Sequence, residues 1–162
     1  MADNLFLCTE LTLLNLSDNQ IEEIPKNLEK LEKLTVLKIN GNKLSTLPHT
    51  ISGMESLKIL EASRNQITVL PRSFCFLYQL ESLDLSYNMI KEIPATIFKL
   101  SKLNTLILNN NLIEHLPSQI CGLTCLRILN VSNNKIDKLP NDISSSLINR
   151  SPNKSGETHC GF

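Results

Sequence analysis

The sequence repeats itself with a period of 23 residues, and this period constrains the fold more than any other feature of the chain. Written in rows of 23, the chain aligns with itself without a gap, and the six rows begin at Leu11, Leu34, Leu57, Leu80, Leu103 and Leu126. The ninth position of each row is Asn: Asn19, Asn42, Asn65, Asn88, Asn111 and Asn134. The fifteenth position of each row is Pro. A fixed period of this length predicts a solenoid, in which each repeat is one structural unit that packs against the next.

Within each row, the pattern predicts a strand, a turn and a helical return. The fourth position is aliphatic and the sixth is apolar, which is the period of two expected of a short strand with one buried face. Asn at the ninth position suits the turn that follows, because its amide can bond to nearby backbone groups. Pro at the fifteenth favours an extended residue before it and is well placed as the first residue of a helical turn. Apolar residues at the eighteenth and twenty-first positions, such as Leu28 and Leu31, then lie on one side of that turn.

A single row has too few apolar side chains to fold by itself. Burying about seven of them does not offset the conformational entropy that is lost when a whole row becomes ordered. Stacking covers the open faces of each row and pairs its strand in parallel with the strand of the next row. We therefore expect stability to belong to the array rather than to any one repeat.

The row pattern LxxLxLxxNxLxxLPxxLxxLxx resembles the leucine-rich repeat, in its 23-residue intracellular form with a Leu-Pro pair. It is similar to the arrays of Scribble, Erbin and the Ras-suppressor type of protein, over about residues 1–146. The resemblance implies an α/β leucine-rich-repeat solenoid: a curved horseshoe with a parallel sheet on its concave side and short helical or 3-10 turns on its convex side. It also implies that the Asn column forms a hydrogen-bonded ladder. Members of this family mostly bind other proteins, often small GTPases, phosphatase subunits or polarity factors.

The repeat sets the expected domain limits. We expect one repeat domain over residues 1–148, with a partial first repeat over residues 1–10, and a polar, disordered tail over residues 149–162. Ile143 still keeps the register of the last row, whereas Ser146 does not. Because terminal repeats normally carry a polar cap and none is evident, we expect a short or truncated form of a longer array. Such a chain is expected to be a monomer or to associate weakly end to end.

Two positions depart from the column to which they belong. Ala62 stands at a sixth position, where the other rows hold larger residues, and we expect Phe74 and Phe76 of the same row to fill the space. Cys8 falls on the twenty-first position of the partial first repeat, which is a core position in the other rows. We therefore expect Cys8 to behave as a small buried hydrophobe.

Composition narrows the classes of partner and compartment. Sixteen basic and sixteen acidic residues leave no net charge, so neither nucleic acid nor an anionic membrane surface is an expected partner. No apolar run approaches the roughly 18 residues of a membrane span, and we expect no membrane insertion. The five cysteines are an odd number without the density of a disulfide scaffold. These features favour a reducing, cytoplasmic location.

The residues that could perform chemistry are few and scattered. His49 and His115 lie at different positions of rows that are not neighbours, and His159 is in the tail, so no catalytic triad has a place to assemble. Cys121 and Cys125 are four residues apart, which on a helix would place them on one face, but no second ligand pair accompanies them. We therefore expect no enzyme activity, no metal and no cofactor.

The residues that flank the buried strand positions form the expected concave surface. The third, fifth and eighth columns lie side by side once the rows are stacked, and their middle rows hold charged, aromatic and aliphatic side chains. These side chains are Lys38, Glu61, Arg64, Asp84, Tyr87, Ile59 and Ile107. Such a mixture is typical of a protein-binding hot spot, although a solvated strand face without a partner has the same composition. Glu61 and Asp84 lie on neighbouring strands, but an open polar surface does not give two carboxylates the different environments that a catalytic pair needs, so we do not expect them to be catalytic.

These observations favour a non-catalytic protein-interaction module, an adaptor or scaffold in intracellular signalling that binds its partner on the concave face. By resemblance alone, a small GTPase or a phosphatase complex is the expected kind of partner. The first alternative is a structural segment of a longer array with no specific partner of its own. An enzyme is the least favoured alternative.

Overall fold

The structure is a computed structural model that describes residues 3–140. Within this range, six strands form one parallel sheet whose spatial order is the order of the chain. The strands are β1 Leu13–Asn15, β2 Val36–Lys38, β3 Ile59–Glu61, β4 Ser82–Asp84, β5 Thr105–Ile107 and β6 Ile128–Asn130. They pair strictly by row position, so that Leu37 of β2 faces Leu14 on one side and Leu60 on the other. The 23-residue period therefore sets the register of the sheet.

Six 3-10 helices within residues 3–140 lie on the convex side of the array. These helices are η1 Asp3–Leu7, η2 Lys26–Lys30, η3 His49–Gly53, η4 Arg72–Phe76, η5 Ala95–Lys99 and η6 Ser118–Gly122. Pro immediately precedes each of η2 to η6 as an extended N-cap residue, for example Pro25 with φ −60° and ψ 139°. The sequence predicts Pro as the first residue of the helical turn, whereas in the structure the helix begins one residue after Pro. The extended ψ instead aims the Pro25 carbonyl into the helix, where it accepts the N–H of Leu28 at 3.0 Å.

The core lies between the sheet and the 3-10 helices. The fourth-position leucines of β2 to β5 are completely buried: Leu37, Leu60, Leu83 and Leu106. The helices close the core from the convex side with a buried apolar residue each, such as Ile51 and Ile97. The predicted leucine-rich-repeat type of solenoid, with a parallel sheet and short 3-10 turns, is confirmed. Among the described residues, no helix has the length and apolarity needed to cross a membrane.

Two predictions about single residues are wrong. Phe74 is completely buried, but Phe76 is 51% exposed and contacts the ring of Tyr78 edge-on at 6.2 Å, so Phe76 does not fill the space beside Ala62. The reason is helical geometry: with three residues per turn, a residue two positions after a buried one points away from the core. Cys8 is exposed rather than buried, because no described row packs on the outer side of the first turn.

The ninth-position asparagines tie consecutive rows together. The side-chain nitrogen of Asn88 donates to the carbonyl oxygens of Leu85 and Ser86 in its own row and of Ala62 in the row before, at 3.0, 3.2 and 3.0 Å. Its side-chain oxygen accepts the N–H of Ile67, also in the row before, at 2.9 Å. The same links to the row before are made by Asn42, Asn65, Asn111 and Asn134. In these five rows one amide therefore satisfies backbone groups of two rows at once. Asn19 of the first row differs from the predicted ladder, because its side chain donates only to Leu16 and Ser17 of its own row, both at 3.0 Å.

Four predictions concern residues outside the described range. They are the limit of the domain at residue 148, the tail over residues 149–162, the loss of register at Ser146 and the register of Ile143. They stay predictions.

Candidate protein-interaction surface

The third- and fifth-position side chains of the strands point away from the core. In β2, β3, β4 and β5 the burial pattern alternates, with a buried residue in the middle and half-buried residues on each side. Successive side chains of a strand point to opposite faces of the sheet, so the half-buried ones line its concave face. We use "concave centre" for the seven residues that the sequence singles out on this face and in the turn beside it: Lys38, Ile59, Glu61, Arg64, Asp84, Tyr87 and Ile107.

Lys38 and Glu61 form an ion pair across β2 and β3. The Lys38 Nζ lies 2.9 Å from Glu61 Oε1, and the two side chains are 35% and 29% exposed. The other carboxylate oxygen of Glu61, Oε2, accepts a hydrogen bond from the side-chain nitrogen of Asn40 at 3.0 Å. Both oxygens of Glu61 are therefore occupied within the chain, and its charge is balanced by Lys38.

Asp84 has a different environment from Glu61. Its Oδ1 accepts two hydrogen bonds from Ser86, one from the backbone N–H at 2.9 Å and one from the hydroxyl at 2.7 Å. Its neighbours in register are Glu61 on β3 and Ile107 on β5, neither of which is a cation. No basic side chain of the described residues forms an ion pair with Asp84. Its negative charge is left unpaired on the surface.

The eighth position of every row adopts a left-handed backbone conformation. The φ angles lie between 53° and 61° at Asp18, Gly41, Arg64, Tyr87, Asn110 and Asn133. The row geometry requires this turn, since the eighth-position N–H donates to the next row, as from Arg64 to Ser86 at 2.9 Å and from Tyr87 to Asn109 at 3.0 Å. Gly, Asn and Asp tolerate the conformation, whereas Arg and Tyr are strained in it by about 1 kcal/mol each.

Arg64 and Tyr87 contact each other across neighbouring rows. The guanidinium carbon of Arg64 lies 5.8 Å from the centre of the Tyr87 ring, a cation–π arrangement. Tyr87 is 52% exposed and Met89, two residues further along the same turn, is 50% exposed. The two residues that least suit the left-handed turn thus form one exposed contact at the edge of the concave face.

The five charged and aromatic residues of the concave centre therefore form three separate groups rather than one network. These are the neutral Lys38–Glu61 pair, the unpaired Asp84 and the Arg64–Tyr87 contact. The sequence predicts that these side chains share one surface, but it does not predict this division into groups. The bonds of Ser86 are not among the sequence-based predictions, although the sequence does contain a pattern that indicates them. Ser17 and Ser132 occupy the same row position as Ser86, two residues after Asn15 and Asn130.

The candidate chemical residues are not brought together. His49 and His115 are both exposed, and His115 lies beside the exposed Asp137, with 3.5 Å between Nδ1 and Oδ1. Cys121 is in η6 and half-buried, whereas Cys125 lies beyond the end of that helix and is exposed, so the two do not share a helical face. No group of three or more metal-ligating side chains occurs within residues 3–140. His159 lies outside the described residues.

A second exposed aromatic contact lies on the convex side of the third row. Phe76, at the end of η4, and Tyr78, just beyond it, are 51% and 59% exposed. Sequence reasoning did not single out this pair as a surface. It provides a matched comparison for the Arg64–Tyr87 contact, because both are exposed aromatic contacts that involve the third row, on opposite sides of the array.

Comparison with known proteins agrees with this fold. The model of the leucine-rich repeat family matches residues 9–67, 46–90 and 78–136. No match to the chain is found among curated proteins. A leucine-rich-repeat protein of Leptospira interrogans superposes with a TM-score of 0.84 and 34% identity, over 86% of this chain and 36% of that one.

Two further structures are similar in the same way. The ectodomain of the Arabidopsis thaliana membrane receptor kinase GASSHO1/SCHENGEN3, in complex with CASPARIAN STRIP INTEGRITY FACTOR 2, has a TM-score of 0.76 and 29% identity over 83% of this chain and 17% of that one. An internalin from Listeria monocytogenes has a TM-score of 0.75 and 29% identity over 88% of this chain and 40% of that one. The chain thus spans less than half the length of these three proteins. The overlapping family matches extend over more than half of its residues, and the chain belongs to the leucine-rich repeat family.

Proposed function

We propose that this chain is a non-catalytic protein-interaction module that binds a protein partner through the concave centre. The observation that carries the proposal is the presence of Arg64 and Tyr87 in left-handed backbone, where the other four described rows have Gly, Asn or Asp. A strained residue that is retained where an unstrained one would serve the fold is typical of a functional surface. Tyr and Arg are also the residue types that most often dominate the binding energy of protein interfaces.

The chemistry of the surroundings supports the same proposal. Ile59 and Ile107 are half-buried apolar residues beside the charged groups, and Tyr87 and Met89 are exposed. An apolar centre with polar groups around it is the usual anatomy of a protein interface. Two solved relatives are receptors described in complex with a named ligand, GASSHO1/SCHENGEN3 with CASPARIAN STRIP INTEGRITY FACTOR 2 and the plant peptide hormone receptor RGFR1 with RGF2. They support binding as the general activity of this kind of solenoid.

The cellular role that we propose is that of an adaptor or scaffold in cytoplasmic signalling. Its support is the balanced charge and the odd number of cysteines, together with the resemblance of the repeats to the intracellular type. A small GTPase or a phosphatase complex is the partner class that follows from that resemblance. Recovery of neither class by proximity labelling in cells would count against this part of the proposal.

The binding surface is tested by comparing two double variants in affinity purification. Arg64→Ala with Tyr87→Ala removes the exposed contact on the concave side, and Phe76→Ala with Tyr78→Ala removes the matched contact on the convex side. We expect the first variant to lose the partners that co-purify with the wild type and the second to keep them. If both variants keep the same partners, or only the convex variant loses them, the concave centre is not the binding surface.

A further inference from the structure

Among the strand residues that the structure describes, only three carry a charge, and one of them is unpaired. These residues are Lys38, Glu61 and Asp84. Lys38 and Glu61 neutralise each other, whereas Asp84 has no basic partner within the described part of the chain. The middle of the concave face therefore presents one uncompensated negative charge.

The fold does not need that charge. Asn130, at the same row position in the last row, accepts the same two bonds from Ser132 that Asp84 accepts from Ser86, at 3.1 Å from the N–H and 2.7 Å from the hydroxyl. Asn15 in the first row likewise accepts the N–H of Ser17 at 3.0 Å. Since a neutral amide oxygen makes these bonds equally well, the carboxylate of Asp84 is not explained by its structural role.

The charge is also unfavourable where it lies. Asp84 is in register with Glu61, and strands in a sheet are about 5 Å apart. Like charges directly across two strands destabilise the pair. The Lys38 ammonium that balances Glu61 comes from β2, on the side of Glu61 away from Asp84. A cation placed at Asp84 from outside would remove this repulsion.

The other neighbour of Asp84 suits the stem of a long basic side chain. Ile107 on β5 is half-buried and leaves part of its apolar surface in the concave face. Lys and Arg pack their aliphatic stems on apolar surface while the charged end reaches a polar partner. Asp84 with Ile107 beside it thus combines a carboxylate acceptor with an apolar support in adjacent strands.

We infer that Asp84 receives a Lys or Arg side chain of the protein partner, with the aliphatic stem of that side chain packed on Ile107. The inference rests on the proposed function, since it names the chemistry of the partner at the same surface. It gives Asp84 a specificity role: the partner segment that crosses β4 and β5 carries a basic residue there. Binding should weaken as salt is raised, because the contact includes a partly exposed ion pair.

The inference is tested with a phage-displayed library of random peptides, selected on the folded chain and checked by fluorescence anisotropy of the recovered peptides. We expect the recovered peptides to share a Lys or Arg next to an aliphatic residue. Asp84→Asn should weaken their binding about ten- to a hundredfold, because the charged hydrogen bond is lost while the bonds to Ser86 remain. The matched control Asp18→Asn, which removes a carboxylate outside the concave centre, should leave affinity unchanged.

A charge reversal gives a second readout. Selection on Asp84→Lys should recover peptides with Asp or Glu in place of the basic residue. Thermal unfolding of Asp84→Asn should begin no lower than that of the wild type, which excludes misfolding as the cause of lost binding. Peptides without a shared basic residue, or equal binding to wild type and Asp84→Asn, would overturn the inference.

Loss of binding in the Arg64→Ala and Tyr87→Ala double variant separates the two proposals. If that variant loses peptide binding while Asp84→Asn keeps it, the concave surface stands and the role of Asp84 fails. If neither change affects binding, both proposals fail. If no peptide is recovered, the role of Asp84 fails and the concave surface is judged by the affinity purification.

Discussion

At the scale of single residues, the repeat separates side chains that serve the fold from side chains that do not. Asn88 is buried and makes the same bonds as its counterparts in the other interior rows, so its presence is explained by buried backbone groups alone. Arg64 and Tyr87 occupy a position that other rows fill with Gly, Asn or Asp. Arg and Tyr are residue types that disfavour the left-handed backbone conformation of this position.

Because Arg64 and Tyr87 are strained, we expect a gain in stability when both are replaced by Asn. Arg64→Asn with Tyr87→Asn relieves two strained residues, each by about 1 kcal/mol, and loses one exposed cation–π contact of about 0.5 to 1 kcal/mol. We expect the double variant to be more stable by about 1 kcal/mol, which raises the Tm by about 2 to 4 °C. Differential scanning calorimetry measures the shift.

The reverse substitution at an equivalent position is the control. Asn110 has φ 56° in the same turn of the next row, and Asn110→Arg should lower stability by a similar amount. A double variant that melts below the wild type would show that Arg64 and Tyr87 stabilise their turns.

At the scale of elements, each of the helices η2 to η6 buries one or two side chains in the core and leaves others exposed. In η4, Phe74 is completely buried and Phe76 is 51% exposed. Five-residue helices of this kind make few hydrogen bonds of their own, and packing of the buried residue fixes their position against the sheet. Two phenylalanines of one short helix should therefore differ widely in what they contribute to stability.

Alanine substitution in η4 tests this difference. Phe74→Ala should lower the free energy of unfolding by about 3 to 5 kcal/mol, because it removes apolar burial and leaves a cavity. Phe76→Ala should change it by less than about 0.5 kcal/mol, as is usual for exposed positions. Urea denaturation followed by circular dichroism measures both. Comparable losses for the two variants would mean that Phe76 is packed in solution.

At the scale of the whole molecule, every described contact between elements is between neighbouring rows. Each strand pairs only with the strands before and after it, and each helix packs against the helices of adjacent rows. Stability in such an array is the sum of terms for each row and for each interface between rows. A local change should therefore act most strongly on the nearest rows.

Hydrogen exchange can measure how far such a change extends. Leu83 of β4 is completely buried, and Leu83→Ala should cost about 2 to 5 kcal/mol locally. We expect protection of backbone amides to fall most in β4, less in β3 and β5, and least in β1. An equal fall in all six described strands would show that the array unfolds as one cooperative unit.

The features of this protein that recur from row to row follow from its amino-acid sequence alone. The period gave the register of the sheet, the buried columns and the turn position of the asparagines, because every interior row provides the same surroundings for the same position. It also indicated Asp84 and Tyr87 as residues that do not repeat in their columns.

The backbone angles of the turns, and the contacts between side chains of different rows, required the tertiary structure. Lys38 pairs with Glu61 and leaves Asp84 unpaired, the eighth position adopts left-handed backbone, and Phe76 and Cys8 face outward. Such details depend on distances between side chains of different rows and on the direction in which each side chain leaves its helix or turn. The aligned repeats contain neither quantity, because they show which row positions are neighbours but not which atoms are in contact.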